Sequence, residues 1–474
     1  MNKKFYITTP IYYVNDKPHI GHACTTIVAD IIARYHKLLD DDVFFLTGTD
    51  EHGAKVAQEA AKAGLVPQDF VDKVSRTFEE IWPKLGIKTD FFIRTTNPEH
   101  KKIVQEVIRK IYKKGDIYKA RYEGFYCVGC EKFITETDLV DGKCPFHPNQ
   151  EPQKQSEENY FFKLSKYARP LIKAIEDPKD KNHYQISPPG KKEEILSRLK
   201  SGVEDISISR ANVSWGIPVP WDPTQTIYVW FDALPNYYSA LKITGKENFW
   251  PADLHLVGKE ILWFHAVIWE AILLSAGISL PKEVFAHSFY MIDGKKMSKS
   301  LGNVIEPEEL IKKFGVDGTR YLIASSFPYE NDSDVGWEKF TEKYNADLAN
   351  GLGNLVARIA KLAEQTNIKY KILNIKITDK KFKDFHQSLE KNQFNEALTF
   401  VWNRISNADR YIDINKPWSL KGEKLNQVLE YLILEILEIA VLLEPFLPET
   451  AEKIQKQFAG PKIKSEKPLF PRLR

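Results

Sequence analysis

An apolar run over residues 5–14 leads into Pro18, His19, Ile20, Gly21 and His22, then a helical pattern to residue 38 and a short apolar run at 43–46. This opening commits the chain to a strand, a helix and a second, parallel strand, a unit whose ligand site lies at the carboxyl ends of its strands. On the first turn of the helix His19 and His22 share one face. They lie beside backbone N–H groups that a helix start leaves without intrahelical partners, which makes a seat for an anion. Gly21 lets a nucleotide ring lie against the backbone, and Pro18 suits the first helical turn. A nucleoside triphosphate fits such a site. Two ordinary surface or core histidines fit the pattern equally well.

Residues 47–53 follow the second strand directly and border the same crevice. Among them Asp50 could hold an ammonium group, or could cap a helix beginning near Ala54. Helical patterns fill residues 67–85 and 99–114, the latter stopped by Gly115, and residues 91–93 read as a third strand. Far downstream Lys295, Lys296, Met297, Ser298, Lys299 and Ser300 stand between Gly294 and Gly302. A mobile cationic loop of this kind suits charge that appears only in a transition state, although a lysine run is commonly a solvated turn.

Cys127 and Cys130 form one knuckle, and Cys144 and His147 form another beyond residues 131–143. Three thiolates and an imidazole at this separation complete a closed tetrahedron, the signature of a structural zinc ion. Three of the chain's 4 cysteines fall here; Cys24, just past the histidine motif, reads as packing. A chain with no apolar leader segment is expected in the cytoplasm, where paired cysteines are more often metal ligands than disulfides. The most apolar stretch, residues 428–443, is broken by Glu430, Glu435 and Glu438, so no membrane span is expected.

The histidine and lysine stretches together match the paired motifs of class I aminoacyl-tRNA synthetases, and the chain resembles the methionyl-tRNA synthetases over nearly all of its 474 residues. What the resemblance implies is specific. ATP is bound by His19, Gly21, His22, Gly258, Glu260, Lys296 and Lys299, of which His19, His22, Lys296 and Lys299 are catalytic. At Glu260 the family usually carries the shorter Asp. The methionine pocket is formed by Ile11, Tyr13, Asp50, Trp230, Ala233, Leu234, Tyr237, Ile261 and His265, with Asp50 on the α-amino group. Trp230 lies in an apolar stretch, residues 227–231, that reads as a buried strand, and on that reading alone it would be core.

From residue 344 the pattern is helical, with amphipathic segments at 345–364, 382–389, 394–411 and 425–443, and a bundle is expected. The formal net charge is only +3, so an RNA site must be a local patch. Asn354 and Arg358, one helical turn apart, and Pro417 with Trp418 could read and stack bases. A capped helix and a buried tryptophan are the plain alternative. In the family these positions read the CAU anticodon.

The expected architecture is an α/β Rossmann-type parallel-sheet catalytic domain split by a zinc-binding insertion and followed by an α-helical bundle. The first catalytic half covers residues 1–115, the insertion 116–224, the second half 225–284, a lysine-loop connector 285–344 and the anticodon-binding domain 345–474. The expected activity is a two-step methionine-tRNA ligase that uses Mg2+ with ATP, one structural Zn2+ and tRNA(Met), including the initiator, as a monomer. The insertion is too short for a large editing domain, so homocysteine must be rejected in the synthetic site. Cysteinyl-tRNA synthetase is the rival within the class; a non-catalytic RNA-binding paralogue is the rival outside it.

Overall fold

The computed structural model describes residues 2–127, 132–134, 139–145, 151–297, 302–366, 375–460 and 462–473, the side chains of 122–124, 126, 132–134 and 153–157 excepted. Strand β1 (Lys4–Tyr13) is buried on both faces for most of its length, as the centre of a parallel sheet requires. Helix α1 (Ile20–Leu38) carries the chain over to β2 (Asp42–Asp50), which pairs parallel with β1, and β3 (Phe91–Arg94) adds to β2. On the other side of β1 come Leu254–Gly258, Glu283–His287 and Gln185–Ser187, all parallel. The order therefore reverses between β1 and Leu254–Gly258, and their carboxyl ends open the crevice where such sheets bind ligands. Pro10 has no N–H for the ladder, and the β1–β2 register shifts between Thr8 and Ile11. That shift falls just before Ile11 and Tyr13.

Three expectations change. Residues 227–231 are not a strand: Asp222–Ile227 belongs to a small antiparallel sheet, and Val229–Ala233 is a short helix. Residues 285–291, whose apolar pattern reads as one strand delivering the lysine loop, divide between two sheets, Glu283–His287 in the main one and Tyr290–Ile292 in a smaller one with Lys295–Lys296 and Ser333–Val335. The chain leaves the main sheet there because Ser288 N donates to Pro328 O at 2.8 Å rather than to a neighbouring strand. The stretch expected as an insertion, 116–224, does form its own four-stranded antiparallel sheet, yet it also returns Gln185–Ser187 to the edge of the main sheet.

Pro307–Ser325 is one helical run kinked at Gly315, whose φ of 72° suits glycine. Beyond it Tyr344–Gly353 is π-helical and runs on into Asn354–Thr366; Lys383–Glu390, Phe394–Asn415, Gly422–Leu443 and Pro448–Phe458 complete the helical part. Its core is continuous with the face of the parallel sheet covered by α1. No helix among the described residues is long and apolar enough to cross a membrane.

Candidate active site

The carboxyl ends of β1, β2 and Leu254–Gly258 border a cleft of about 1150 Å3. His19 is the N-cap of α1, one position outside the helix, and Pro18 precedes it rather than lying in the first turn. The imidazoles of His19 and His22 stack with centroids 3.8 Å apart. Gly21 N donates to His19 Nδ1 at 3.1 Å, and His19 N donates to His22 Nδ1 at 3.2 Å. Burial lowers the His19 pKa to about 4; burial and then the neighbouring His19 lower that of His22. Both rings are thus neutral at pH 7, and because each Nδ1 accepts a hydrogen bond, each proton sits on Nε2. They offer the cleft N–H donors rather than positive charge.

The backbone anion seat expected at the helix start is already filled by the protein: Ile20 N donates to Ile305 O at 2.9 Å, and Gly21 N is taken by His19. The same Ile20–Ile305 bond ties the histidine motif to the segment just after the lysine loop. A Cβ added at Gly21 would lie 2.9 Å from His19 Cε1 and 3.6 Å from Met297 Cε, so glycine is required by the ring beside it. Thr25 in α1 meets His287 Nε2 at 2.8 Å, which locks the helix to the strand leading into the loop.

Lys296 lines the cleft, its ammonium 5.6 Å from the centre of the Phe289 ring. Lys259 lies over the same ring at 4.6 Å and is pinned by Asp332 at 2.5 Å. Glu260 also lines the cleft; burial raises its pKa, against the pull of its own backbone N–H, Lys296 and Lys259. Its carboxylate folds back against Gly258, where a Cβ would collide with it. Lys299, Ser298 and Ser300 lie outside the described residues.

Ile11, Tyr13, Asp50, Trp230, Ala233, Leu234, Tyr237, Ile261 and His265 all line this one cleft. Asp50 does not occupy the N-cap position of the helix Ala54–Lys62, which is Gly53. Trp230 stacks on Phe264 with centroids 3.8 Å apart and planes 10° from parallel, forming a flat wall. His265 Nδ1 meets Ile261 O at 3.0 Å, and burial lowers its pKa to about 4. The neutral ring therefore accepts the Tyr237 hydroxyl at Nε2, 2.6 Å away. The pair contributes a satisfied, uncharged surface suited to a thioether. Cys24 borders the cleft as well, buried, with burial pushing its thiol up to about 12.

Sequence reading passed over Lys17, Lys55, Phe289 and Tyr12, which also line the cleft. Adjacency to Pro18 was the available signal for Lys17; Phe289 gave none, since its role depends on where two distant lysines lie.

Asn354 is exposed on a continuous helix, and the half-buried Arg358 pairs with Asp409 at 2.7 Å and Asp413 at 2.9 Å. Trp418 is 62% exposed beside a buried Pro417, which removes the buried-tryptophan alternative. Of the four residues expected to form zinc knuckles, Cys127 and Cys144 are buried in one small cluster with Leu139, while Cys130 and His147 lie outside the described residues.

Residues 5–152 and 147–360 match the family described as tRNA synthetases class I (M), and residues 375–472 match the anticodon-binding domain of tRNA ligases. The methionine–tRNA ligase of Clostridium acetobutylicum is 43% identical over 99% of this chain and 78% of its own length. That of Thermotoga maritima is 42% identical over 95% of this chain and 74% of its own length. The Mycobacterium tuberculosis methionyl-tRNA synthetase in complex with methionyl-adenylate superposes with a TM-score of 0.91 at 34% identity, covering 99% of this chain and 100% of that one. The chain belongs to the methionine family of class I tRNA synthetases.

Proposed function

We propose that the protein is a methionine–tRNA ligase that makes methionyl-adenylate from methionine and ATP and then passes the methionyl group to the terminal adenosine of tRNA(Met), for elongation and initiation. The observation that carries this reading is the single cleft: the stacked histidines and Lys296 line one part of it, and Asp50 with the Trp230, Tyr237 and His265 walls line another. Such a cleft has room for both substrates at once.

In the first step the methionine carboxylate attacks the α-phosphorus and pyrophosphate departs. Asp50 receives the α-ammonium, which fixes the carboxylate's direction of attack. The Nε2–H groups of His19 and His22 donate to phosphate oxygens, and Lys296 and Lys299 neutralise charge on the leaving group. Mg2+ enters with ATP as part of the substrate. In the second step the 2′-hydroxyl of the terminal adenosine attacks the adenylate's carbonyl carbon, as in class I relatives; the ester bond forms, the acyl–phosphate bond breaks, and AMP leaves with the hydroxyl proton passing to its phosphate or to solvent. Neither step needs a covalent enzyme intermediate.

Cys127, Cys130, Cys144 and His147 would hold a structural Zn2+. The two described cysteines, 2% and 0% exposed and brought together from separate segments, fit that role. Bound there, zinc would cross-link the tip of the insertion and leave no open position for chemistry. Asn354, Arg358, Pro417 and Trp418 read the anticodon in this proposal, supported by the exposure of Trp418. The protein acts as a cytoplasmic monomer, which light scattering tests.

Methionine-dependent ATP–pyrophosphate exchange, run against a panel of amino acids that includes cysteine, tests the assignment. Exchange with methionine above all others is expected; exchange with cysteine alone, or with none, refutes it.

A further inference from the structure

Among the described residues, a buried polar cluster stands outside the steps above. Asp232 is fully buried; its Oδ2 lies 2.6 Å from His52 Nδ1 and its Oδ1 3.2 Å from His100 Nε2. His100 Nδ1 in turn meets Ser239 Oγ at 2.7 Å, and His52, His100 and Ser239 are all buried. A carboxylate only accepts, so both rings turn an N–H toward it, and Ser239 Oγ, which also donates to Asn236 O at 3.3 Å, holds the far nitrogen of His100. Burial alone would raise the Asp232 pKa, but the two imidazoles hold it down at about 2, so the carboxylate is charged.

The four side chains come from four segments: the turn after β2, the helix Pro98–Lys113, the helix Val229–Ala233 and the helix Asn236–Thr244. Three of those segments carry the pocket. His52 stands two residues past Asp50, Asp232 stands between Trp230 and Ala233, and Ser239 stands two residues past Tyr237. Stability alone gives little reason for such a cluster, because buried ion pairs are often replaced by apolar side chains without loss. What an apolar cluster does not supply is direction. Two hydrogen bonds to one carboxylate, the shorter from His52, fix both the distance and the rotation of the segments that bear them.

We propose that Asp232 is a positioning residue for methionine: through His52 it sets the spacing between the Asp50 side of the pocket and the Trp230–Ala233 wall. One end of the substrate is an ammonium and the other a thioether, so its fit depends on that spacing. The inference rests on the assignment of methionine to this cleft. ATP, held by the histidine motif and the lysine loop, does not depend on the clamp.

Asp232→Asn keeps the shape but turns an accepting oxygen into a donor that faces a ring N–H. The expected result in pyrophosphate exchange is a methionine KM raised about tenfold or more, with the ATP KM within about twofold of wild type. The Kd of methionine alone, measured by calorimetry, should rise in parallel. His52→Ala should act in the same direction. His52→Asn, whose amide nitrogen takes the place of Nδ1–H, should recover most of the loss, and this pair carries the test if Asp232→Asn fails to fold. A methionine KM unchanged in a variant with lowered Tm, both KM values rising together, or His52→Asn no better than His52→Ala would each overturn the clamp. Wild-type protein without methionine-dependent exchange would overturn the functional assignment and this inference with it; wild-type exchange beside an unmoved variant KM overturns the clamp alone.

Discussion

Glu270 follows directly on the π-helical turns that carry His265, fully buried, and neither carboxyl oxygen has a hydrogen-bond partner among the described residues. Burial raises its pKa well above 4.5, so the folded protein keeps this group protonated. In the unfolded chain the carboxyl ionises near 4.5. Folding above that pH therefore takes up a proton: the full stability is present below pH 4.5 and is lost as pH rises toward the folded pKa. Glu270→Gln removes this titration. Its thermal stability should match wild type near pH 4.5 and exceed it increasingly as pH rises above that value. Parallel pH profiles for the two proteins would refute this. Nothing in the sequence marked Glu270, because a glutamate on an apolar helix is ordinary until its neighbours are known. His19 and His22 were marked by spacing and by resemblance. Their neutral, Nε2-protonated state was not, since it depends on which backbone groups reach each Nδ1.

At the scale of elements, β1, α1 and β3 were legible within a residue or two, because strands buried on both faces and a long amphipathic helix leave strong periodic signals, whereas β2 runs four residues past its apolar core 43–46, through Thr47 to Asp50. Residues 227–231 show the limit of such signals. A five-residue apolar run flanked by a loop is consistent with either a buried strand or a helical turn, and here Tyr228 N is taken by Ile208 O and the turn closes as a helix. Trp230 consequently presents its face to the cleft wall instead of alternating through a sheet. The helical part was read correctly as a set of amphipathic segments, and its exposed tip carries a direct prediction. Trp418→Ala should lower aminoacylation at fixed tRNA by about 10-fold or more, the loss of one stacking platform worth ~1–3 kcal/mol, while pyrophosphate exchange stays near wild type. Equal loss in both assays would make Trp418 a structural residue.

Across the whole molecule, Arg320 joins regions that sequence reading treated as separate domains. Its guanidinium is fully buried; it pairs with Asp30 of α1 at 2.8 Å and donates to Leu85 O at 3.3 Å, Pro445 O at 2.9 Å and Phe446 O at 2.9 Å. The helix begun by the histidine motif, the helix behind the lysine loop and the turn between the last two long helices thus share one cation. Arg320→Ala leaves three carbonyls without that donor, and the first unfolding transition in urea should lose ~3–5 kcal/mol. A loss under about 1 kcal/mol would show that apolar packing alone holds the regions together. Residue order alone specified which groups could do chemistry and, through periodicity, which segments would be strands or helices. Packing settled the rest: the reversal of strand order that opens the cleft, the return of Gln185–Ser187 to the sheet edge, and the meeting of Ile20 with Ile305. Local propensity acts over a few residues, whereas those contacts join parts of the chain up to hundreds of residues apart and form only when a shared core excludes water from all of them together.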